Sequence, residues 1–369
     1  MQEIIDGFAD TIRAAAGNNA SLCIRGSGTK DFYGNRPTNP DSPTVTASVR
    51  LATIAYTGIV DYEPTELVVT ARSGTHLADL ETELNKHGQM LAFEPPRFGM
   101  GATLGGCVAS GLSGPRRASA GSVRDFVLGV RMLDGRGDDL SFGGQVMKNV
   151  AGYDISRLMT GSMGTLGLLL EVSLKVLPLP PTEITLRLAM TDAEAIEKMN
   201  FWAGKPLPIS ATCFCSGELI LRLSGAASAV RAARATLGGE EIAEGASFWE
   251  SLREQTHPFF QRGKQLWRLS IKSTTPPLSL PMPAKQLIEW GGALRWLLVD
   301  PDADTEAVQL AVRSAAKDAG GHAALFRSEG ARAGVFHPLP PAMLNIHRRL
   351  KEKFDPLRVF NPGRMYPEI

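Results

Sequence analysis

Apolar residues at Ile4, Ile5, Phe8 and Ile12 share one face of a helix predicted over residues 2–16, and Gly17 stops it. Ser21–Arg25 reads as a short strand, and Val45–Thr46, Ile59–Tyr62 and Glu66–Ala71 as further strands between polar turns. Leu77, Leu80 and Leu84 return to helical spacing. Asp79 and Glu81 stand near the start of that helix, Lys86 and His87 near its end, and Gly88 closes it. Gln89–Leu91 is then a strand running toward Glu94-Pro95-Pro96.

A stretch of 28 residues, Phe98 to Asp125, breaks this rhythm with glycines at 99, 101, 105, 106, 111, 114 and 121. Beyond it, Phe126–Leu133 and Asp139–Phe142 flank Asp134-Gly135 as a β-hairpin. Ile155, Leu158 and Met159 mark a short helix, and Leu168–Leu177 a strand with a buried face that ends at the prolines of 178–181. After this boundary, strands are expected at Ile184–Met190, Ile209–Phe214 and Leu219–Leu223, with helices at 192–203 and 226–237. A second set has strands near 266–272, 293–299 and 323–328 and helices near 283–290 and 304–319. Two such units predict an α+β lobe of antiparallel sheet with helices on one face, repeated in element order only. A last helix near 341–353 precedes the tail Phe354–Arg364.

Composition narrows the function. A net charge of +1 offers no field for nucleic acid or an acidic membrane. No apolar segment reaches the length of a membrane span, and the acidic, amphipathic start is unlike a signal peptide, so the chain is expected in the cytoplasm, with any membrane association made through partners. Cysteines 23, 107, 213 and 215 form no Cys-x-x-Cys pair, and histidines 76, 87, 257, 322, 337 and 347 lack metal-ligand spacing, so neither a metal nor an iron–sulfur cluster is expected. No Gly-x-Ser-x-Gly elbow supports hydrolase chemistry.

The glycine-rich stretch has a different promise. Absent side chains let backbone amides approach a ligand, and successive amides can form a concave nest for an anion without Lys or Arg. Leu104, Val108, Leu112 and Val123 interrupt the glycines, unlike a flexible linker. A second small loop, Arg25-Gly26-Ser27-Gly28-Thr29-Lys30, combines two glycines, two hydroxyls and a cation; it matches neither a Walker loop nor a Gly-x-Gly-x-x-Gly fingerprint.

Taken together, RGSGTK, GATLGGCVASGLSGPRRASAGSVRDFVLGVRMLDG, KNVAGYD and GSMGTLGLLLEVSLKV resemble, in order and spacing, the flavin-binding fold of the vanillyl-alcohol oxidase / para-cresol methylhydroxylase superfamily. Within it the chain resembles the smaller flavin-binding subunits of glycolate oxidases. The likeness is specific over about residues 20–180 and at Asn361-Pro-Gly-Arg364, and faint from about 185 to 340. It implies residues 1–180 as a two-part FAD-binding domain, 181–340 as an α+β, ferredoxin-like cap lobe, and 341–369 as a segment returning to the flavin domain.

By the same resemblance Arg25, Gly26, Ser27, Gly28, Thr29 and Lys30 form the first phosphate loop. Thr103, Leu104, Gly105, Gly106, Ser110 and Gly111 form a second cradle beside ribityl chain and flavin, with Pro95 and Pro96 leading up to it. Gly164, Thr165, Gly167 and Leu168 meet the adenine. Lys148, Asn149 and Tyr153 match a signature near the nucleotide, and Asn361 the tail residue that reaches the flavin ring. The first loop has no histidine, so FAD is expected to be held without a covalent bond.

The resemblance further implies a catalytic flavin subunit and an iron–sulfur subunit as partners, with glycolate, or another small 2-hydroxy acid, as substrate of the assembly. Catalytic relatives carry a cluster resembling His-x-Gly-Asp-Gly-Asn-x-His; the corresponding region here, Gly320–Glu329, keeps only His322 and Arg327 as candidates, with His337 and His347 as alternatives outside any motif. The flavin site is thus expected complete and the substrate site reduced. The expected function is a flavin-carrying subunit exchanging electrons with its partners. A self-sufficient FAD-linked 2-hydroxy-acid dehydrogenase and a non-catalytic scaffold with a vestigial pocket are the alternatives.

Overall fold

The computed structural model describes residues 1–35, 38–39, 42–46, 49–144, 154–260, 265–300, 305–328 and 334–369. Near the start, α1 (Gln2–Gly17) buries Ile5, Ala9, Ile12 and Ala15 against β1 (Leu22–Arg25) and β2 (Val49–Ala52), which pair in parallel. The strands β3 (Ile59–Glu63), β4 (Val68–Arg72), β5 (Val127–Leu133), β6 (Asp139–Gly143) and β7 (Leu168–Lys175) form an antiparallel sheet in the order β3-β4-β7-β5-β6. Two helices, α2 (Leu77–Lys86) and α3 (Leu104–Ser110), add Leu77, Leu80, Leu84, Leu104, Cys107 and Val108 to its main core.

A register shift in β7 between Leu169 and Glu171 decides how the two cores meet. Side chains alternate strictly along a strand, and one extra residue reverses the alternation. Leu168 and Leu170 therefore enter the α1 core, while Val172 and Leu174 enter the main one beside Leu169. One strand ties both parts together.

The second lobe consists of β8 (Thr182–Ala189), α4 (Asp192–Ala203), β9 (Ile209–Cys215), β10 (Glu218–Gly225), α5 (Ala227–Leu237), β11 (Glu240–Glu241), α6 (Gly245–Arg253), β12 (Gln265–Ser270), β13 (Ala284–Glu289), β14 (Leu294–Val299), α7 (Thr305–Asp318) and β15 (His322–Arg327). Its eight strands form one sheet, ordered β11-β8-β10-β9-β13-β14-β12-β15, with every pairing antiparallel. Residues 182–241 run β-α-β-β-α-β, the split βαβ of ferredoxin-like units. Residues 265–327 repeat that order, with residues 271–283 containing no helix where the first unit has α4. The two units join edge to edge through Cys213↔Glu289 and Phe214↔Ile288.

Helices α4, α5 and α7 cover one face of this sheet. The opposite face carries Ile220, Leu266, Leu287, Trp296 and Phe326, and packs against Tyr33, Leu112 and Met163 of the first lobe. The expected helix near 283–290 is therefore wrong: Ala284–Glu289 is β13. Lys285, Gln286 and Glu289 favour helix by local propensity, but pairing to both β9 and β14 overrides it. Helix α6 was not anticipated. Finally, α8 (Pro341–Phe354) leads into a tail that bridges in parallel to β1 through Leu22↔Phe360.

Candidate functional site

Strand β1 ends in the loop Gly26–Lys30, and this loop forms one wall of a groove of about 520 Å³. Thr103, Gly106, Ala109 and Ser110 of the α3 region form another wall, and Met163, Asn361 and Arg364 line it further. A smaller recess of about 70 Å³ shares Ile24, Gly26, Gly106, Ala109, Met163 and Asn361 with it, and adds Ser73, Gly105, Gly164, Gly167 and Leu168. The two glycine loops, far apart in sequence, are thus brought face to face. A Cβ on Gly26 would lie 2.4 Å from Thr103 Oγ1, closer than any side chain tolerates.

The loop's own geometry explains what the groove can hold. At Gly28, φ is +87°, and the Arg25 side chain folds across the space where a Cβ would stand, pairing with Asp31 at 2.5 Å. Among the described residues, none of the five successive N–H groups from Gly26 to Lys30 donates a hydrogen bond. Buried backbone donors are normally paired, so a run of free ones beside a cavity marks a place where an acceptor belongs. Ser73 Oγ, 1% exposed as a residue, also lacks a partner. Arg25, Lys30, Arg50 and Arg364 line the groove against one carboxylate, Asp31. This donor set fits the diphosphate of a dinucleotide.

These cations are not equally available. Arg364 is spent on backbone, donating to Tyr33 O at 2.6 Å and Asn35 O at 3.1 Å. Lys30 reaches Arg97 O at 3.4 Å, and burial lowers its pKa. Burial likewise raises the Cys23 thiol, with Arg364 opposing, so it stays a neutral wall of the groove.

Of the residues singled out in the sequence, Arg25–Lys30, Thr103, Gly105, Gly106, Ser110, Gly164, Gly167, Leu168 and Asn361 line the groove or its recess. Gly105 does so with its N–H already given to Ser73 O at 2.8 Å; it lets α3 pack against that residue. Leu104, Gly111, Pro95 and Thr165 line neither space: Leu104 is core, Gly111 caps α3 at φ +66°, Pro95 is buried, and Thr165 O accepts from Lys351. Asn361 is a stitch, its Oδ1 accepting from Ile24 N at 2.9 Å and its Nδ2 donating to Met163 O at 2.7 Å. Lys148, Asn149 and Tyr153 lie outside the described residues. Lining residues to which the sequence reading gave no role include Cys23, Arg50, Thr53, Ser73, Ala109 and Met163, and also Arg364, which it had only as part of the tail motif.

His322 and Arg327 occupy opposite ends of β15, roughly 16 Å apart at strand rise. They cannot act on one small acid together. Arg327 stacks over Phe32, a groove residue, at 4.5 Å. His322 is exposed, with its pKa lowered by partial burial and by Arg268 and His337.

Beyond an aromatic partition lies a second, smaller void of about 30 Å³ between the eight-stranded sheet and the glycine-rich stretch. Phe32 contacts Phe98 at 5.2 Å and Phe326 at 5.5 Å, and Phe326 contacts Trp296 at 4.9 Å. Pro96, Phe98, Gly114, Gln255, Arg268, Glu289, Trp290 and Trp296 are among its lining residues. Arg268 stands among apolar neighbours in Leu266-Trp-Arg-Leu269, and Glu289 ends β13.

Comparison with known proteins agrees with this geometry. A family profile described as FAD binding domain matches residues 5–143. The chain is 48% identical over 360 residues to glycolate oxidase subunit GlcE of Escherichia coli (strain K12), covering 98% of this chain and 97% of that protein. It is 32% identical over 206 residues to glycolate oxidase subunit GlcD of Bacillus subtilis (strain 168), covering 55% and 42%. Among solved structures, alkyldihydroxyacetonephosphate synthase superposes with a TM-score of 0.65 at 16% identity, covering 96% of this chain and 73% of that one, which speaks for the fold. The protein is therefore an FAD-binding flavoprotein of the para-cresol methylhydroxylase type, an FAD-dependent oxidoreductase component. Within that class, the chain belongs to the GlcE family of glycolate oxidase subunits. Among the described residues no helix is long and apolar enough to cross a membrane.

Proposed function

We propose that this chain holds FAD without a covalent bond in the groove between the Gly26–Lys30 loop and α3, and exchanges electrons with a separate catalytic flavin subunit and an iron–sulfur subunit of a glycolate oxidase. The carrying observation is the run of five N–H groups, without a hydrogen bond among the described residues, in a loop that lines a cationic groove. FAD, when bound, supplies two-electron and one-electron exchange, which suits a junction between hydride chemistry and single-electron clusters. The chain's own contribution is to present donors to the diphosphate from Gly26 to Lys30, with Thr103, Gly106 and Asn361 shaping the opposite wall.

The reading of a relay rather than a self-sufficient dehydrogenase is supported by the placement of His322 and Arg327, which do not converge on any shared space. The test is to purify the chain alone, record its visible spectrum, and add glycolate without oxygen. A yellow protein that is not bleached alone, but is bleached once the partner subunits are added, is the expected result. Bleaching of the isolated chain would instead establish an independent dehydrogenase, and a colourless chain in the presence of added FAD would remove the flavin reading.

A further inference from the structure

Three of the four cations lining the groove are committed or solvated. Arg25 pairs with Asp31, Arg364 donates to backbone carbonyls, and Arg50 is exposed to solvent. Lys30 differs. It is half-buried, and among the described residues its ammonium makes one long hydrogen bond, to Arg97 O at 3.4 Å, and no ion pair. The carboxylate in its neighbourhood, Glu254, is already engaged: it pairs with Arg253 at 2.8 Å and accepts from Arg97 N at 3.1 Å and Phe98 N at 2.8 Å. An ammonium has three donors, so two of them and a charge stand without a paired acceptor. Burial lowers the Lys30 pKa, with Cys107 and Glu254 opposing, as befits a charge that water solvates poorly.

A diphosphate on the amides of the Gly26–Lys30 loop leaves the two ring systems of a dinucleotide to run in opposite directions. The recess of about 70 Å³, walled by Gly164, Gly167 and Leu168, suits the smaller one, adenine. The tricyclic flavin needs the larger space, and Lys30 and Phe32 line that space and not the recess. There Phe32 meets Phe98 at 5.2 Å, and the Lys30 ammonium stands 5.7 Å from the Phe98 ring centroid, which puts an apolar wall and a cation side by side. We propose that Lys30 sets the reduction potential of the flavin, its ammonium answering the negative charge that the ring system gains on reduction rather than the charge of the diphosphate. Uptake of two electrons and one proton leaves the ring system with one net negative charge, and a poorly solvated cation beside it favours that state over the neutral oxidised one. The diphosphate has the same charge before and after, so a lysine devoted to it would favour neither state. The inference rests on the reading that FAD occupies the groove, and gives it a direction: a raised potential draws electrons toward this subunit.

Spectroelectrochemical titration of the FAD-loaded full-length chain at neutral pH reads the potential without substrate or turnover. Lys30→Met should lower the midpoint by at least about 30 mV, the shift that accompanies a tenfold loss of preference for the reduced form in a two-electron couple. Affinity for oxidised FAD, read by flavin fluorescence, should fall by less than that tenfold, because the amides of the loop remain. Lys30→Arg, which keeps the charge, should restore most of the potential. Lys30→Gln, which keeps a polar side chain, is read in the same way should Lys30→Met fail to hold FAD. A potential unchanged in these neutral variants, or equal weakening of oxidised and reduced FAD, would overturn the inference and leave the flavin reading intact. A parent chain that stays colourless with added FAD would remove the flavin reading, and this inference with it.

Discussion

Lys351→Met tests how the tail completes the groove lined by the Gly26–Lys30 loop. Lys351 and Asp355 are both 0% exposed, and the Lys351 ammonium uses all three donors: Asp355 Oδ2 at 2.7 Å, Thr165 O at 2.8 Å and Phe360 O at 2.8 Å. Asp355 in turn accepts from Val359 N at 3.0 Å and Phe360 N at 2.8 Å, bending the chain back so that Asn361 reaches Ile24 and Met163. Methionine fills a similar volume but strands a buried carboxylate and two carbonyls. Removing one member of a buried ion pair costs about 3–5 kcal/mol, a large part of the stability of an ordinary domain. Urea unfolding of the FAD-free chain, followed by tryptophan fluorescence, should show that loss. Hydrogen exchange should show the amides of 359–361 losing protection first, and FAD affinity should fall with them. Adding Asp355→Leu to Lys351→Met should recover part of the stability, because the stranded charge is gone. A loss under about 1 kcal/mol, with 359–361 still protected, would refute the reasoning.

Other perturbations bear on different parts of the site. Gly26→Val places a branched side chain where even a Cβ would lie 2.4 Å from Thr103 Oγ1, so FAD affinity, read by flavin fluorescence, should fall at least about a hundredfold; unchanged affinity would remove the groove from consideration. Ser73→Ala deletes a buried hydroxyl without a partner, and should raise the stability of the FAD-free chain by up to about 1 kcal/mol while lowering FAD affinity several-fold, as measured by unfolding and by flavin titration. Glu289, its carboxyl raised from 4.5 to about 7 by burial, favours the folded state when protonated, so its contribution is full below about pH 4.5 and is lost as pH rises through 7. Glu289→Gln should therefore gain about 3 kcal/mol on the parent between pH 4.5 and pH 8 in urea midpoints; a pH-independent difference would show that Glu289 does not titrate there.

The elements legible in the sequence were those set by local chemistry. The helix of residues 2–16, the hairpin at Asp134-Gly135 and the helix at 192–203 carried their own periodicity, turn residues or caps, and the Thr191/Glu194 capping box is present at the last. Glycine spacing pointed to the loops of the groove because missing side chains leave a mark in sequence. Residues that reach the groove only through long-range folding left no such mark: Ser73 follows a strand, Met163 sits in a turn, and Arg50 is an ordinary exposed arginine. Residues 284–289 misled because helix-favouring residues were placed in a sheet by neighbours more than 60 positions away on one side. The role of Asn361 was readable as a place but not as geometry, since its two partners are 337 and 198 residues distant.

That separation has a consequence for biosynthesis. The Gly26–Lys30 loop leaves the ribosome early, but the amide that pins its strand to Met163 is made 337 residues later than Ile24. Cofactor capture is therefore expected to follow translation. A translation product arrested before residue 361 would contain both sheets and their cores and still emerge colourless.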